Sequence, residues 1–574
     1  MLTHLPTGPF PQSRRDFPSL ENSPAFPMPG LRRVLVAAIV LLTLFSPMAR
    51  AADLAYTLGP QGLASLSYRG QARLGDGRLQ VVNTTPRFGR ADAPQGGETP
   101  TATRFDAKGR MLTQTYPWGR LVGIYDQRGD SLTLRLTVRN DTPDTLTALD
   151  VQVAELTFPS VPQGDTADPG MFGTGGPHPL EYPLSADPRN TPPVLLIDDG
   201  TGGVLDFASE GVTDPVTVSV PFSTNPPTRT RYPFWASVGN IAPGASRTFT
   251  VALRFGPPGA SPVALARDLY KKYAAAYPFR VHWTDRRPIG TDFLATSEAH
   301  PAKNPRGWFL NAADADTTTA EGRAAFRRRL MDYADASVKV LKGMNAQGVI
   351  TWDPEGQEYG HSTYYGDPRL VTRLAPEMED RDASGVATVD AYFQKFRAAG
   401  LRVGVCVRPQ QIRFVDGTPI QEDSPDPART LEDKIAYAKR RWGCTLFYVD
   451  STVDAAGHAL NPDIFEAVTR AYPDVLLMPE NQTTRDYACT APFDSFFHHG
   501  VTSTPAGVRA VYPRAFSALY APDNWSGGSL AANHDKLTAA VRRGDILLFH
   551  GWYDAPANAE IRRIYADAAR PEKP

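Results

Sequence analysis

TLFYVDSTVDAAGHALNPDIFEAVTRAYPDVLLMPE, residues 445–480, contains two short apolar runs that each stop on a carboxylate, Asp450 and Glu480, with one helix-like stretch between them. Short runs that are apolar on both faces and separated by a helix-length segment read as buried parallel strands joined by a crossover helix. In a (β/α)8 barrel the C-terminal ends of the strands form the mouth, and both acids are expected there.

The same alternation extends in both directions from about Arg286. Strands are expected at 307–312 (GWFLNA), 348–353, 402–408, 445–450, 475–480, near 494–497, and at 516–521 and 545–551, with amphipathic segments such as VDAYFQKFRAAG and LEDKIAYAKRRWG between them. Residues 286–574 are therefore expected to close one barrel. Upstream, residues 52–258 alternate with period two between Gly, Pro, Asn and Asp turns, as in SLTLRLTVRN (131–140), which predicts antiparallel strands with one face on a core. The Gly- and Pro-rich tract 162–193 reads as a long loop, and 259–285 as a linker carrying the helix VALARDLYKKYAAAY. The expected fold class is multidomain: an N-terminal antiparallel β-sandwich followed by a (β/α)8 TIM barrel.

Residues 1–51 read as an export signal. Arg32 and Arg33 precede an apolar run from Val34 to Phe45, Ala49-Arg50-Ala51 gives a small-x-small cleavage pattern, and a start at Met28 would make the signal compact. The run is shorter than the roughly 20 residues that span a bilayer, so the mature chain is expected to be secreted or periplasmic with no stable membrane insertion. A formal net charge of -1 supplies no basic excess for nucleic acid. Cys406, Cys444 and Cys489 lack ligand or disulfide spacing and are expected to pack as core residues.

Asp450 and Glu480 stand out among the polar strand ends because neither lies close enough to a following helix to serve as its cap. On adjacent strands roughly 4.8 Å apart, their carboxyls can approach to about 5 Å, the separation of a pair that cleaves glycosidic bonds with retention. The expected roles are Asp450 as nucleophile and Glu480 as acid/base, and the expected partner is a carbohydrate substrate. Asp353, Glu355, Arg408, Asn481, Tyr520, Asp523, His550 and Trp552 are the expected substrate-binding residues, Arg408 also as a cation for Asp450. No metal ligand set and no cofactor is expected, although Asp353, Glu355 and Asp367 leave a structural Ca²⁺ open. Asn533-His534-Asp535 opens a helix and reads as its cap. No HExxH, GxSxG, P-loop or strand-borne GxGxxG is present.

With Asp at the fourth strand (FYVDS) and Glu at the fifth (MPENQ), the chain resembles retaining α-glycoside hydrolases. The order matches that of the α-amylase superfamily and of the endo-α-N-acetylgalactosaminidase and dextranase families; the α-galactosidase and α-glucosidase groups share the Asp at strand four. The resemblance implies Asp450 as nucleophile, Glu480 as acid/base and an α-linked substrate. The chain departs from the α-amylase pattern at Tyr448, where that family has Arg, and lacks its His-Asp at strand seven. Two other readings stay open at this point: a carbohydrate-binding barrel without catalysis, and a metal-dependent hydrolase using Asp353, Glu355 and His361.

Overall fold

The computed structural model describes residues 53–82, 87–88, 99–158, 163–164, 178–179, 184–198, 203–213, 216–220, 231–295, 308, 310, 316–355, 375–415, 418–455, 457–480, 483–496, 500–521 and 528–571. The expected leader lies outside them. Among the described residues no helix is long and apolar enough to cross a membrane.

Two large antiparallel sheets, with smaller ones beside them, occupy the N-terminal region. One orders its strands Val194–Asp198, Val204–Ser209, Ser246–Gly256, Ser131–Asn140, Gly119–Arg128, Met111–Tyr116 and Ala102–Asp106. The other runs Leu184–Ala186, Thr217–Val220, Arg231–Val238, Leu146–Thr157 and Leu74–Asp76. Period-two burial is visible directly: in Ser131–Asn140 the leucines and Val138 are buried while Thr133, Arg135, Thr137 and Arg139 face outward. Leu121, Leu134 and Leu136 of the first sheet share one apolar core with Leu149, Val151 and Phe234 of the second, and Phe207 meets Phe234 edge-on at 5.1 Å. Leu184–Ala186, inside the tract expected to be loop, is an edge strand.

The second half forms an eight-stranded parallel sheet: β1 (Ile289–Phe293), β2 (Gly348–Trp352), β3 (Arg402–Val407), β4 (Leu446–Val449), β5 (Leu476–Pro479), β6 (Phe493–Ser495), β7 (Ala518–Tyr520) and β8 (Ile546–His550). Their order, 5-4-3-2-1-8-7-6, brings the first and last strands together through the β1–β8 pairing. Among the described residues no ladder joins β5 to β6, so the barrel is nearly closed; a bond from Ala491 N–H to Leu477 O at 2.9 Å links the two sides. This is a TIM-type barrel with additional sheets. Ile289, Ile350, Leu446, Met478, Phe516 and Leu548 fill its interior. Helices α1 (Arg267–Ala276), α2 (Ala320–Gly343), α3 (Thr388–Ala398), α4 (Pro427–Trp442), α5 (Asp463–Ala471), α6 (His534–Arg542) and α7 (Pro556–Ala568) follow the expected patterns.

The first barrel strand is not GWFLNA. It is IGTDF at 289–293, and Trp308 of the expected strand makes an isolated bridge to Ala295. β1 reads as polar, yet it is buried because each polar group is satisfied. Thr291 Oγ1 donates to Phe549 O at 3.1 Å, and Asp292 accepts from Ser337 at 2.8 Å and Tyr392 at 3.1 Å. A Cβ on Gly290 would lie 2.3 Å from Leu341, so glycine is what lets α2 pack against this strand.

A separate apolar cluster joins the sheets to the barrel: Val194, Leu196 and Ala208 pack with Leu269, Tyr270 and Tyr273 of α1 and with Tyr487, Val508 and Tyr512. Polar ties reach the loop after β5. Arg485 N–H donates to Asn190 O at 2.9 Å, its guanidinium to Arg189 O at 3.1 Å, and Thr191 pairs with Thr484 at 3.0 Å.

Candidate active site

Strand alternation aims the site. In β3, β4 and β5 the residues Cys406, Tyr448 and Met478 point into the barrel and Val407, Val449 and Leu477 pack outside, so Arg408, Asp450 and Glu480, two residues further on, return to the inner side at the mouth. Asp450 is 7% exposed. Arg408 donates to its Oδ2 through Nε at 2.8 Å and Nη2 at 2.6 Å, and the Ser451 N–H donates to its Oδ1 at 2.8 Å. This buried carboxylate thus has a cation and three donors.

Glu480, exposed at the mouth, accepts the same Ser451 N–H at 3.1 Å. Its carboxyl is pushed from 4.5 up to about 7, first by partial desolvation on its barrel side and next by the charge of Asp450. Accepting the same N–H keeps the two carboxyls side by side at the mouth. Burial also drives the Tyr448 phenol upward, with Asp450 and Glu480 adding to it.

Asp353 and Glu355 are both buried at the end of β2, and Asp353 adopts φ 56°, which breaks the strand alternation after Trp352. The Cys406 thiol, raised by burial, also feels the charges of Asp450, Arg408, Asp353 and Glu355, which locates all four around the end of β3. Asn481 and Asp523 lie outside the described residues, as do Asp367 and His361 of the cation readings. Among the described residues no group of three or more His, Cys, Asp or Glu side chains is arranged to hold a metal.

Below the carboxyls the aromatic side chains form a circuit around the barrel. Phe293 stacks on Trp352 at 4.8 Å, Trp352 meets Tyr448 at 5.1 Å, and Tyr448 meets Phe493 at 4.9 Å. Phe493 contacts Tyr520 at 6.0 Å, Tyr520 contacts His550 at 6.3 Å, His550 contacts Trp552 at 4.4 Å, and Trp552 returns to Phe293 at 5.6 Å. Tyr520, His550 and Trp552 thus share one wall, and Tyr553, stacked on His550 at 5.4 Å, is 42% exposed.

Asn533-His534-Asp535 is not a side-chain cap. Asn533 makes no capping bond, its Nδ2 donating instead to Ser529 O at 3.2 Å, while His534 bridges Glu560 at 2.6 Å and Asp567 at 3.0 Å of α7. Ion pairing with helix α7 took the place of the cap. The sequence reading overlooked Gln410, Lys434 and Ser451, which hold the strand ends; their only signal was a position within three residues of Arg408 and Asp450, or, for Lys434, a charge on the buried stripe of α4.

No protein-family model matches the chain, and no curated protein matches it. Solved structures do. An α-N-acetylgalactosaminidase, NagBb from Bifidobacterium bifidum, in complex with GalNAc, is 10% identical with a TM-score of 0.50, covering 91% of this chain and 92% of that one. A GH31 family sulfoquinovosidase from E. rectale is 8% identical, TM-score 0.43, over 90% and 82% of the two chains. The galactosidase domain of an α-galactosidase-sucrose kinase, AgaSK, is 11% identical, TM-score 0.41, over 87% and 72%. At such identity the likeness is one of fold alone: along most of its length the chain is folded like the NagBb structure.

Proposed function

We propose that this chain is an exported retaining glycoside hydrolase, with Asp450 as nucleophile and Glu480 as acid/base. The observation that carries the reading is the Asp450–Glu480 pair: two carboxyls at neighbouring strand ends that accept one N–H, that of Ser451, the first buried against a guanidinium and the second, exposed at the mouth, retaining its proton up to about pH 7. Two acids with divergent environments are what double displacement requires. Asp450 attacks the anomeric carbon while Glu480 protonates the departing oxygen. Glu480, now a carboxylate, then takes a proton from the water that releases the sugar from Asp450.

The aromatic wall of Tyr520, His550 and Trp552 suits the apolar face of a sugar ring, and Asp353 and Glu355 suit its hydroxyls. An α-linkage follows from the resemblance of FYVDS and MPENQ and is part of the proposal. The two N-terminal sheets are read as a β-sandwich that supports the loop after β5, and residues 1–51 as the export signal.

The test is hydrolysis by the mature protein of a panel of aryl α- and β-glycosides and oligosaccharides, followed by proton NMR of the first-formed anomer. Cleavage with retention is expected. A first product of inverted configuration would refute the double displacement, and sugar binding without hydrolysis across the panel would refute catalysis.

A further inference from the structure

One backbone N–H serves both carboxyls. Ser451 N–H donates to Asp450 Oδ1 at 2.8 Å and to Glu480 Oε2 at 3.1 Å. To do so Ser451 adopts φ 54°, a left-handed conformation that a residue with a Cβ keeps only when its surroundings impose it. The constraint comes from β3. Gln410, 3% exposed, donates its Nε2 to Ser451 O at 2.6 Å and to Val453 O at 3.0 Å, gripping the turn from both sides.

Stability alone is a poor account of this amide. Its Oε1 is buried with no hydrogen-bond partner among the described residues, which costs free energy that an apolar side chain of the same length would not. Gln410 is in turn fixed from α4. That helix begins at the Asp426 cap and stops at Gly443, and it buries Lys434 at 1% exposure with its Nζ on Arg408 O at 2.5 Å and Gln410 O at 2.8 Å. One ammonium therefore anchors both ends of a three-residue segment. Arg408 at one end holds Asp450, and Gln410 at the other holds Ser451.

We propose that Gln410 is a positioning residue of the candidate site: it holds Ser451 in the left-handed turn that aims one N–H at both carboxyls. The proposal deepens the reading of Asp450 and Glu480 as the catalytic pair and rests on it for its kinetic consequences. Gln410 touches no reacting atom and acts through Ser451.

The experiment compares Gln410→Met, which keeps length and loses the donor, with Gln410→Met/Ser451→Gly, in which the left-handed turn is accessible without a clamp. Folding is checked by circular dichroism. The first readout needs no substrate: infrared difference titration of protein carrying ¹³C-carboxyl glutamate, with Glu480→Gln identifying the band. Loss of one N–H from the carboxylate is expected to move the Glu480 midpoint up by about one pH unit, and Ser451→Gly to bring it back. On whichever glycoside the panel yields, kcat is expected to fall roughly a hundredfold, the cost of about an ångström of misplacement. KM is expected to hold, and the double variant to recover most of kcat.

A Gln410→Met protein that titrates like wild type overturns the proposal, and so does a loss that Ser451→Gly fails to restore. If Gln410→Met does not fold, Gln410→Glu, of equal shape but acceptor-only when ionised, is titrated in its place: a raised midpoint that Ser451→Gly lowers again supports the proposal, and an unmoved or unrestored midpoint overturns it. A wild type that cleaves no glycoside refutes the catalytic reading, while the infrared titration still decides whether Gln410 positions the pair.

Discussion

Replacing Glu480 with Gln keeps the shape of the side chain and removes its ionisation. In the folded chain this carboxyl titrates at about 7 rather than 4.5, because partial desolvation and the neighbouring Asp450 charge both oppose its ionised form. Between those values the folded state holds a proton that the unfolded chain has released. The folded state is therefore favoured most below pH 4.5, and this contribution is lost as pH rises through about 7. The gap is about 2.5 pH units, but water screens this exposed carboxyl, so the stability at stake is about 1 kcal/mol rather than the full linkage value. The amide escapes that cost. Glu480→Gln is thus expected to be more stable than wild type by about 1 kcal/mol at pH 8, with the difference vanishing toward pH 4.5. For a chain of 574 residues, with a melting entropy of about 1.2 kcal/mol/K, the gain at pH 8 is about 1 °C in Tm. Paired thermal melts from pH 4.5 to 9 measure it. A Tm difference that does not change with pH, or a variant less stable than wild type at pH 8, would refute the reasoning.

Asp450→Asn is expected to lower turnover by on the order of 10⁴–10⁶-fold with unchanged circular dichroism, measured on any glycoside the wild type cleaves. Arg408→Met leaves the Asp450 charge in the barrel without its guanidinium and is expected to cost about 3–5 kcal/mol in urea denaturation at pH 7. Arg485→Ala strands Glu466 and frees the loop after β5 from the Arg189 carbonyl, and a loss of about 3–5 kcal/mol is expected in the same assay. EDTA treatment is expected to leave activity within twofold of untreated enzyme; a chelator-sensitive rate that added metal restores would favour metal chemistry instead.

The strands that carry Asp450 and Glu480 were legible because β4 and β5 are buried on both faces, so an unbroken apolar run ends sharply where the chain meets the mouth. β1 was hidden by the opposite circumstance. Its Thr291 and Asp292 find partners on β8, α2 and α3, elements up to 258 residues away, and no local pattern can announce those bonds. The tryptophan-bearing GWFLNA run competed successfully for the assignment because apolar content, rather than satisfied polar content, is what periodicity detects. At the site, the Arg408–Asp450 pair followed from two strand ends facing the same opening. The roles of Ser451 and Gln410 did not, since they rest on a backbone torsion and on an amide whose carbonyl acceptors are 41 and 43 residues away along the chain.

Cys406 sits on the inner face of β3 directly beneath this cluster of charges, a free thiol whose ionisation burial strongly suppresses. A protonated sulfur reacts slowly with alkylating reagents and with oxidants alike. It becomes reactive when the barrel wall around it parts, so the mass added to this one side chain after a timed pulse of iodoacetamide counts breathing events from the inside. An occupant seated over the carboxyls that braces the wall lengthens the interval between them, which makes the cysteine an internal stopwatch for ligand capture in a protein that needs no attached dye.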